Sequence, residues 1–246
     1  MLANNDQAPD TEMISRFAGI LFEYAEGYVT ARMLPEKGAG DGKPWSRTLP
    51  ADERLGGALA ALAAKAAGNR RALYVVPGTT SREGRAGAAD IAETGVVIVD
   101  LDEGDIEGKR KHLEDHLGRA SLLVASGGLT EDGQKKLHVY WRLTEAARDE
   151  DLALVGKLQG DIAQRVGGDT SFAKVCQPIR VAGSLHQKYG QVARCTIVDE
   201  TGTEHDLQDF AERVALLPEF GGLAAVSKEA DRDCVAPSVS DLLNRI

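Results

Sequence analysis

Apolar residues recur along the chain at spacings that alternate between helical and extended. Ile14, Phe17, Ile20, Leu21 and Tyr24 fall at helical intervals and predict a helix over residues 13–25. Residues 28–34 predict a strand, and the Gly, Lys and Pro-rich stretch 35–49 a loop. An alanine-rich helix is expected over 52–67, closed by Gly68-Asn69, then a short strand over 72–76 stopped by Pro77-Gly78. Residues 96–99, Val-Val-Ile-Val, predict a buried strand that ends in Asp100-Leu101-Asp102. A charged helix over 107–117 follows. Strands over 120–126 and 137–143 form a hairpin with a long loop carrying Gly127-Gly128 and Thr130 to Gly133. A helix over 144–166 ends at Gly167-Gly168; a late strand is expected over 191–198 and a late helix over 207–217. Residues 1–11 are polar and expected to be disordered. From Pro218 the chain turns Gly, Ala and Ser-rich, which predicts a linker or tail over 218–246 and leaves 12–217 as the folded domain.

Composition narrows the function classes. With 43% apolar residues the chain can build a sizeable α/β core. Its 38 acidic residues outnumber 29 basic ones, for a net charge of -9, so bulk charge does not attract a phosphate backbone. The candidate cations are Lys109, Arg110, Lys111, Lys135, Lys136, Arg180 and Lys188; with the last two taken up by a triphosphate, ~3–5 phosphate contacts remain and binding to single-stranded DNA is expected to be weak. Cys176, Cys195 and Cys234 form no CxxC pair, which argues against a zinc ribbon or a disulfide framework and for a reducing, cytoplasmic setting. The start lacks a signal-type apolar core, and no apolar run approaches the ~18 residues that a membrane span needs.

The candidate chemistry is acidic. Alternate strand residues share a face, so Asp100 and Asp102 lie ~7 Å apart on one side of the strand end. Two such carboxylates repel unless a cation lies between them, and their hard oxygens suit Mg²⁺ or Mn²⁺; a solvated acidic turn gives the same pattern. His138 alternates with Leu137 and Val139 and falls on the strand face that carries Tyr140 and Arg142, either as a ligand contact or as an exposed histidine. Gly127-Gly128, just after Ser126, leaves backbone room for a phosphate or sugar. Asp169 follows a helix stop, where a capping role alone would explain it. Arg180 and Lys188 flank a small-residue loop and could hold a triphosphate or be surface charges. His112 and His116 are spaced like zinc ligands but lack the accompanying glutamate, and the glycine run 38–43 has Pro44 where a phosphate loop needs Ser or Thr.

The order of these motifs resembles the archaeo-eukaryotic primase superfamily, above all the primase–polymerases of phages, plasmids and integrated elements. VVIVDLD, ASGG with LHVYW, GGD, and QPIRVAGSLHQK carry the likeness over residues 72–190, with a weaker match in YVTARMLPE. Ala182 and His186 depart from the last motif, which often has Pro and Asn there, and LTEDGQKK widens the second. The resemblance implies an RRM-like catalytic unit packed with an N-terminal α/β unit. It implies two divalent ions, Mg²⁺ or Mn²⁺, held by Asp100, Asp102 and Asp169 for in-line attack on an α-phosphate. Ser126, His138, Arg180 and Lys188 would contact the nucleotide, NTP or dNTP. A single-stranded DNA template is the expected partner, with a helicase domain or partner reached through the tail. The rivals are a DxD glycosyltransferase, a metal-dependent nuclease and a non-catalytic module that docks a helicase.

Overall fold

Residues 96–99 are completely buried because helices cover both faces of the sheet they enter. The computed structural model describes residues 8–36, 42–85, 87–188 and 191–221. In chain order the elements are α1 (Thr11–Phe22), β1 (Tyr28–Pro35), β2 (Trp45–Pro50), α2 (Leu55–Gly68), β3 (Arg71–Thr80) and β4 (Ile91–Leu101). Then follow α3 (Ile106–Leu117), β5 (Leu122–Leu129), β6 (Lys135–Arg148), α4 (Glu150–Val166), and a 3-10 turn over Thr170–Ala173. The last are β7 (Ile179–Arg180), β8 (Leu185–His186), β9 (Ala193–Arg194), β10 (Thr196–Glu200), β11 (Glu204–His205) and α5 (Leu207–Leu216).

Seven strands form one path in the order β10-β5-β6-β4-β3-β1-β2; β11 adds to β6 and β7 to β3. The pairing is antiparallel except for β11. Val96 and Ile98 face the core beneath α1 and α2, whereas Val97, Val99 and Leu101 face the core beneath α3, α4 and α5. The run β4-α3-β5-β6-α4-β7 has the β-α-β-β-α-β succession of an RRM-like unit. The N-terminal elements α1, β1, β2, α2 and β3 extend the same sheet on the other side.

β3 and β4 are paired only from Gly78 to Thr80 against Ile91 to Thr94, and then they part. β7 takes the freed edge of β3, with Tyr74 opposite Arg180. On β4, the Ile98 N–H is taken by the Gln159 carboxamide oxygen of α4 at 3.0 Å, and the Gln159 amide donates to Phe172 O. A buried side chain thus replaces a lost strand.

Several expectations are corrected. β2 lies inside the expected loop 35–49; Trp45 to Pro50 pairs along β1 as an edge strand. β3 runs on through Pro77-Gly78 to Thr80. β6 continues to Arg148, with Ala147 and Arg148 opposite Thr94 and Glu93, so α4 starts six residues later than expected. The late strand breaks at Cys195, whose N–H donates to Ser184 O. Residues 8–10 are tied to the body: Asp10 caps α1 through Met13 N–H, and its own N–H donates to Gly183 O. Residues 218–221 pack on α3 and α4, so the folded part reaches beyond 217. Residues 1–7 and 222–246, on which the rest of the expected tails fall, lie outside the described residues.

Gln159→Leu leaves the Ile98 N–H and the Phe172 carbonyl without partners. It is expected to lower the unfolding free energy by ~2–4 kcal/mol, since a buried orphan group costs ~1–3 kcal/mol. Urea unfolding checks this; a loss under ~0.5 kcal/mol, the range of an ordinary surface change, would show that the edge does not depend on the side chain.

Candidate active site

The gap between β3 and β4 ends at Asp100, and the turn after α4 closes on the same point. Gly167 ends α4 in the left-handed conformation at φ 61°. Gly168 passes so close that a Cβ there would stand 2.9 Å from Asp100 O. The Asp169 N–H then donates to Asp100 O at 3.1 Å, which places the third aspartate beside the first. Lys109 braces both loops from below: its ammonium, on a residue only 3% exposed, donates to Glu103 O and Gly167 O at 2.8 Å each. Burial pushes the Lys109 pKa down, against the charges of Asp102, Glu103 and Asp105.

A cleft of about 1060 Å³ opens here, and Asp100, Asp102, Ser126, His138, Asp169, Arg180 and Lys188 all line it. The structure therefore brings together the seven residues that the motif resemblance assigns to metal and nucleotide. Asp100 is opposite His138 across β4 and β6, with His138 Nε2 at 3.6 Å from Asp100 Oδ1. Asp102 lies 3.8 Å from Lys136 Nζ. Asp169 is, as the capping alternative had it, a cap: its carboxylate accepts from Ser171 N–H (2.9 Å) and Ser171 Oγ (2.8 Å). His138 is 6% exposed rather than on a solvated face, because Tyr140 on the same side is buried against Phe17. Its Nδ1 lies 3.2 Å from Tyr140 Oη, and the Phe172 ring flanks it at 6.1 Å. Burial first, with the Arg180 charge adding and Asp169 opposing, pushes the His138 pKa down to about 4, so the ring is neutral at pH 7.

Arg180 is the most constrained of the set. Its Nη1 donates to Glu36 Oε1 at 2.9 Å and to Leu185 O, and its Nη2 donates to Tyr74 Oη at 2.8 Å. Glu36, 5% exposed, also accepts the Gln187 N–H, so it anchors the loop that leads to Lys188. Glu36, Tyr74 and Phe172 line the cleft and were not singled out from the sequence. The only sequence signal for Glu36 was its place at the end of the YVTARMLPE match. In the VAGS loop, Gly183 has φ 88° and a Cβ there would meet Asp10 O at 2.6 Å, while Ser184 Oγ donates to Val181 O. Those two motif residues serve the turn.

The donor set at the strand end is carboxylate oxygen. The Cys195 thiol is fully buried and pushed up to about 12, so no thiolate competes. Such hard donors fit Mg²⁺ or Mn²⁺ and not a soft metal. Among the described residues, no three His, Cys, Asp and Glu side chains form a ready cage, and Asp169 is turned to Ser171.

Three solved structures match this architecture. The catalytic (AEP) domain of the cyanophage S-2L primase–polymerase aligns with a TM-score of 0.64 at 23% identity, over 86% of this chain and all of that one. Primase RepB′ aligns with a TM-score of 0.58 at 14% identity, over 82% of this chain and 62% of RepB′. The catalytic domain of RepB′ in complex with initiator DNA aligns at 0.57 and 15%, over 83% and 94%. The fold is that of an archaeo-eukaryotic primase catalytic domain. No protein-family model matches the chain. No curated protein matches it either.

Within this primase fold, α3 is not the basic patch that its sequence advertised. Lys109 is buried, Arg110 is paired with Glu107 and Glu114, and Lys111 with Asp115 at 2.6 Å. His112 and His116 do not face a metal cage: His112 Nε2 meets Pro218 O, and His116 Nδ1 meets His112 O. Of the glycine run 38–43, residues 38–41 lie outside the described residues.

The depressed His138 pKa links stability to pH. The unfolded imidazole titrates at ~6.5, above the folded value, so the unfolded chain takes up the proton first. The stability that depends on neutral His138 is intact above pH ~6.5 and lost as the pH falls through the folded value of about 4. His138→Gln in metal-free protein is expected to flatten this part of the profile by ~3 kcal/mol at its acid end. Urea unfolding between these limits measures it, and an unchanged slope would show that the ring carries its charge in the fold.

Proposed function

We propose that this chain is a nucleotidyltransferase that adds nucleotides on a DNA template, as a DNA primase, a DNA polymerase or both. The observation that carries the proposal is the convergence of Asp100, Asp102, Asp169, Ser126, His138, Arg180 and Lys188 on one cleft of a primase fold. The names of the neighbours, a primase–polymerase and a primase bound to initiator DNA, support the same class.

Asp100 and Asp102, joined by Asp169, would hold two divalent ions, Mg²⁺ or Mn²⁺. When bound, such ions lower the pKa of an attacking hydroxyl and stabilise charge on the leaving pyrophosphate. The protein's own part is placement. Neutral His138 can donate one N–H to a phosphate oxygen without carrying a charge of its own. Ser126 and Lys188 line the same wall and would contact the triphosphate. Arg180, held by Glu36 and Tyr74, presents a fixed guanidinium and keeps the loop of Lys188 in place. A replication role in a phage, plasmid or integrated element belongs to the same proposal, with a helicase domain or partner reached through residues 218–246 as the expected partner.

Single-stranded DNA would pass over the outer rim. Leu129 and Val192 line the cleft while 61% and 44% exposed, and Lys135, Lys136 and Arg194 line it beside them. β5 and the β8–β9 hairpin touch there, since a Cβ on Gly127 would stand 2.9 Å from His186 Cβ and 3.7 Å from Ala193 Cβ. Apolar side chains among cations suit unstacked bases with flanking phosphates.

The deciding experiment is incorporation of radiolabelled NTP or dNTP on single-stranded DNA, with and without primer, in Mg²⁺ or Mn²⁺. Asp100→Asn and Asp102→Asn are expected to lose at least ~10³-fold in rate, on the scale of removing a main electrostatic stabiliser, with the fold unchanged by circular dichroism. Wild-type rates in either variant would end the metal assignment. Cleavage of DNA without nucleotides would favour a nuclease, and binding of a nucleotide sugar a glycosyltransferase. Lack of any Mn²⁺ and nucleotide binding would favour a docking module.

Leu129→Asp with Val192→Asp is expected to weaken single-strand binding by ~10-fold, and Lys135→Glu to reduce the salt slope by ~1. Fluorescence anisotropy across a salt series reads both. Unchanged affinity in both variants would move the strand path off this rim.

A further inference from the structure

Residues 217–220 cross behind the two loops that carry the outer aspartates. The Phe220 N–H donates to Arg165 O at 2.8 Å, and the Arg165 guanidinium returns to Leu217 O. Pro218 O meets His112 Nε2 at 2.9 Å, and the Phe220 ring lies edge-on to His112, with centroids 5.5 Å apart. On the other side the ring closes on Gly108, where a Cβ would stand 3.0 Å from Phe220 Cζ. The strap therefore touches the first turn of α3 and the last turn of α4 at once.

Those two turns are where the carboxylate loops are anchored. Asp105 caps α3 three residues after Asp102, and Gly167 ends α4 directly before Gly168 and Asp169. Lys109, next to Gly108, bonds Glu103 O and Gly167 O and so joins the loops to each other. Any change in the separation of the α3 start and the α4 end must move Glu103 relative to Gly167. Gly167 stands two residues before Asp169, whose N–H donates to Asp100 O, so the same movement acts on the segment that carries this bond.

We propose that the 217–220 strap, with Phe220 as its wedge, is a positioning element that sets Asp102 and Asp169 at the spacing an ion requires. The proposal rests on the reading of these aspartates as metal ligands. Phe220 touches neither substrate nor ion; it acts through Gly108, Lys109 and Arg165.

The test uses the full chain. Phe220→Ala is compared with the conservative Phe220→Leu, with His112→Ala on the exposed face of α3, and with Leu62→Ala, a buried change in α2 beneath the opposite face of the sheet. The first readout is amide hydrogen exchange at Asp169 in metal-free protein; the second is Mn²⁺ binding followed by electron paramagnetic resonance. Phe220→Ala is expected to speed Asp169 exchange by ~10-fold through local opening. Its Mn²⁺ Kd should rise ~3–10-fold, less than the ~10–100-fold typical of groups that bond a ligand directly. His112→Ala should give a smaller shift of the same sign, Phe220→Leu should recover most of the loss, and Leu62→Ala should leave both readouts unchanged. Wild-type values in Phe220→Ala, or equal shifts in Leu62→Ala, would overturn the strap. If Asp102→Asn retains full Mn²⁺ binding, the metal reading fails instead, and Asp169 exchange still decides whether the strap holds the loop.

Discussion

The parting of β3 from β4 is the constraint on which the rest depends. A continuous pairing of these strands would fill the space where the cleft lies and would cover the end of β4. Parting them frees backbone groups in the interior, and each freed group needs a partner. β7 supplies partners on the β3 side and Gln159 on the β4 side. At the tip of β4, the Asp100 carbonyl accepts the Asp169 N–H. The hydrogen bond that repairs the split sheet is thus also the one that brings an aspartate distant in sequence to the DxD strand. The two glycines before Asp169 make this possible, one by ending a helix and one by lacking a Cβ at the contact.

Charge is organised by depth. The lysine beneath the loops is buried and donates to two loop carbonyls, so it braces the loops while its charge also acts on Asp102, Glu103 and Asp105. Arg180 is neutralised by Glu36 in a buried pair, which gives fixed orientation at the cost of free charge. His138 is kept neutral by burial and by Arg180. The wall opposite the aspartates is therefore held by hydrogen bonds and modestly charged, and Lys135, Lys136 and Arg194 stand at the rim. A chain of net charge -9 can meet a polyanion in this way only over a short path, where Lys135, Lys136, Lys188 and Arg194 line the cleft.

Much of this was legible in the residues. Four β-branched or apolar positions followed by two aspartates announced a strand buried on both faces, and the motif order foretold which side chains share a cleft. What was not legible involves pairing over long sequence distance. Residues 144–148, Thr-Glu-Ala-Ala-Arg, have helical propensity, yet pairing of Ala147 and Arg148 with Thr94 and Glu93 at the start of β4 holds them in β6 until Asp149 turns the chain at φ 48°. β2 hid in a Gly and Lys-rich stretch because an edge strand shows only half of its pattern as burial. His138 was placed on a polar face since alternation reports chemistry and not exposure: Tyr140 satisfies its neighbour and both go inside. Glu36 had no signature beyond its place at the end of the weak YVTARMLPE match. Its role exists only because Arg180, 144 residues away, arrives beside it.

The helix α3 shows how far composition can mislead about a surface. Read as a string, Lys109-Arg110-Lys111 is the most basic spot in the chain and the natural place to seat a phosphate backbone. In the fold the first of these points inward and the other two are tied to acids one turn away. Counterion release rewards only cations that exchange their ions for phosphates, so a cation already paired adds little. The helix is a buttress: its N-terminal turn carries the cap that follows Asp102, its buried lysine holds the Asp169 loop, and its His112 meets the returning chain at Pro218. Selection for charge on such a helix would then be selection for the geometry of the aspartates. The KRK run and the DxD and GGD motifs thereby form one mechanical unit, although nothing in their spacing along the chain connects them.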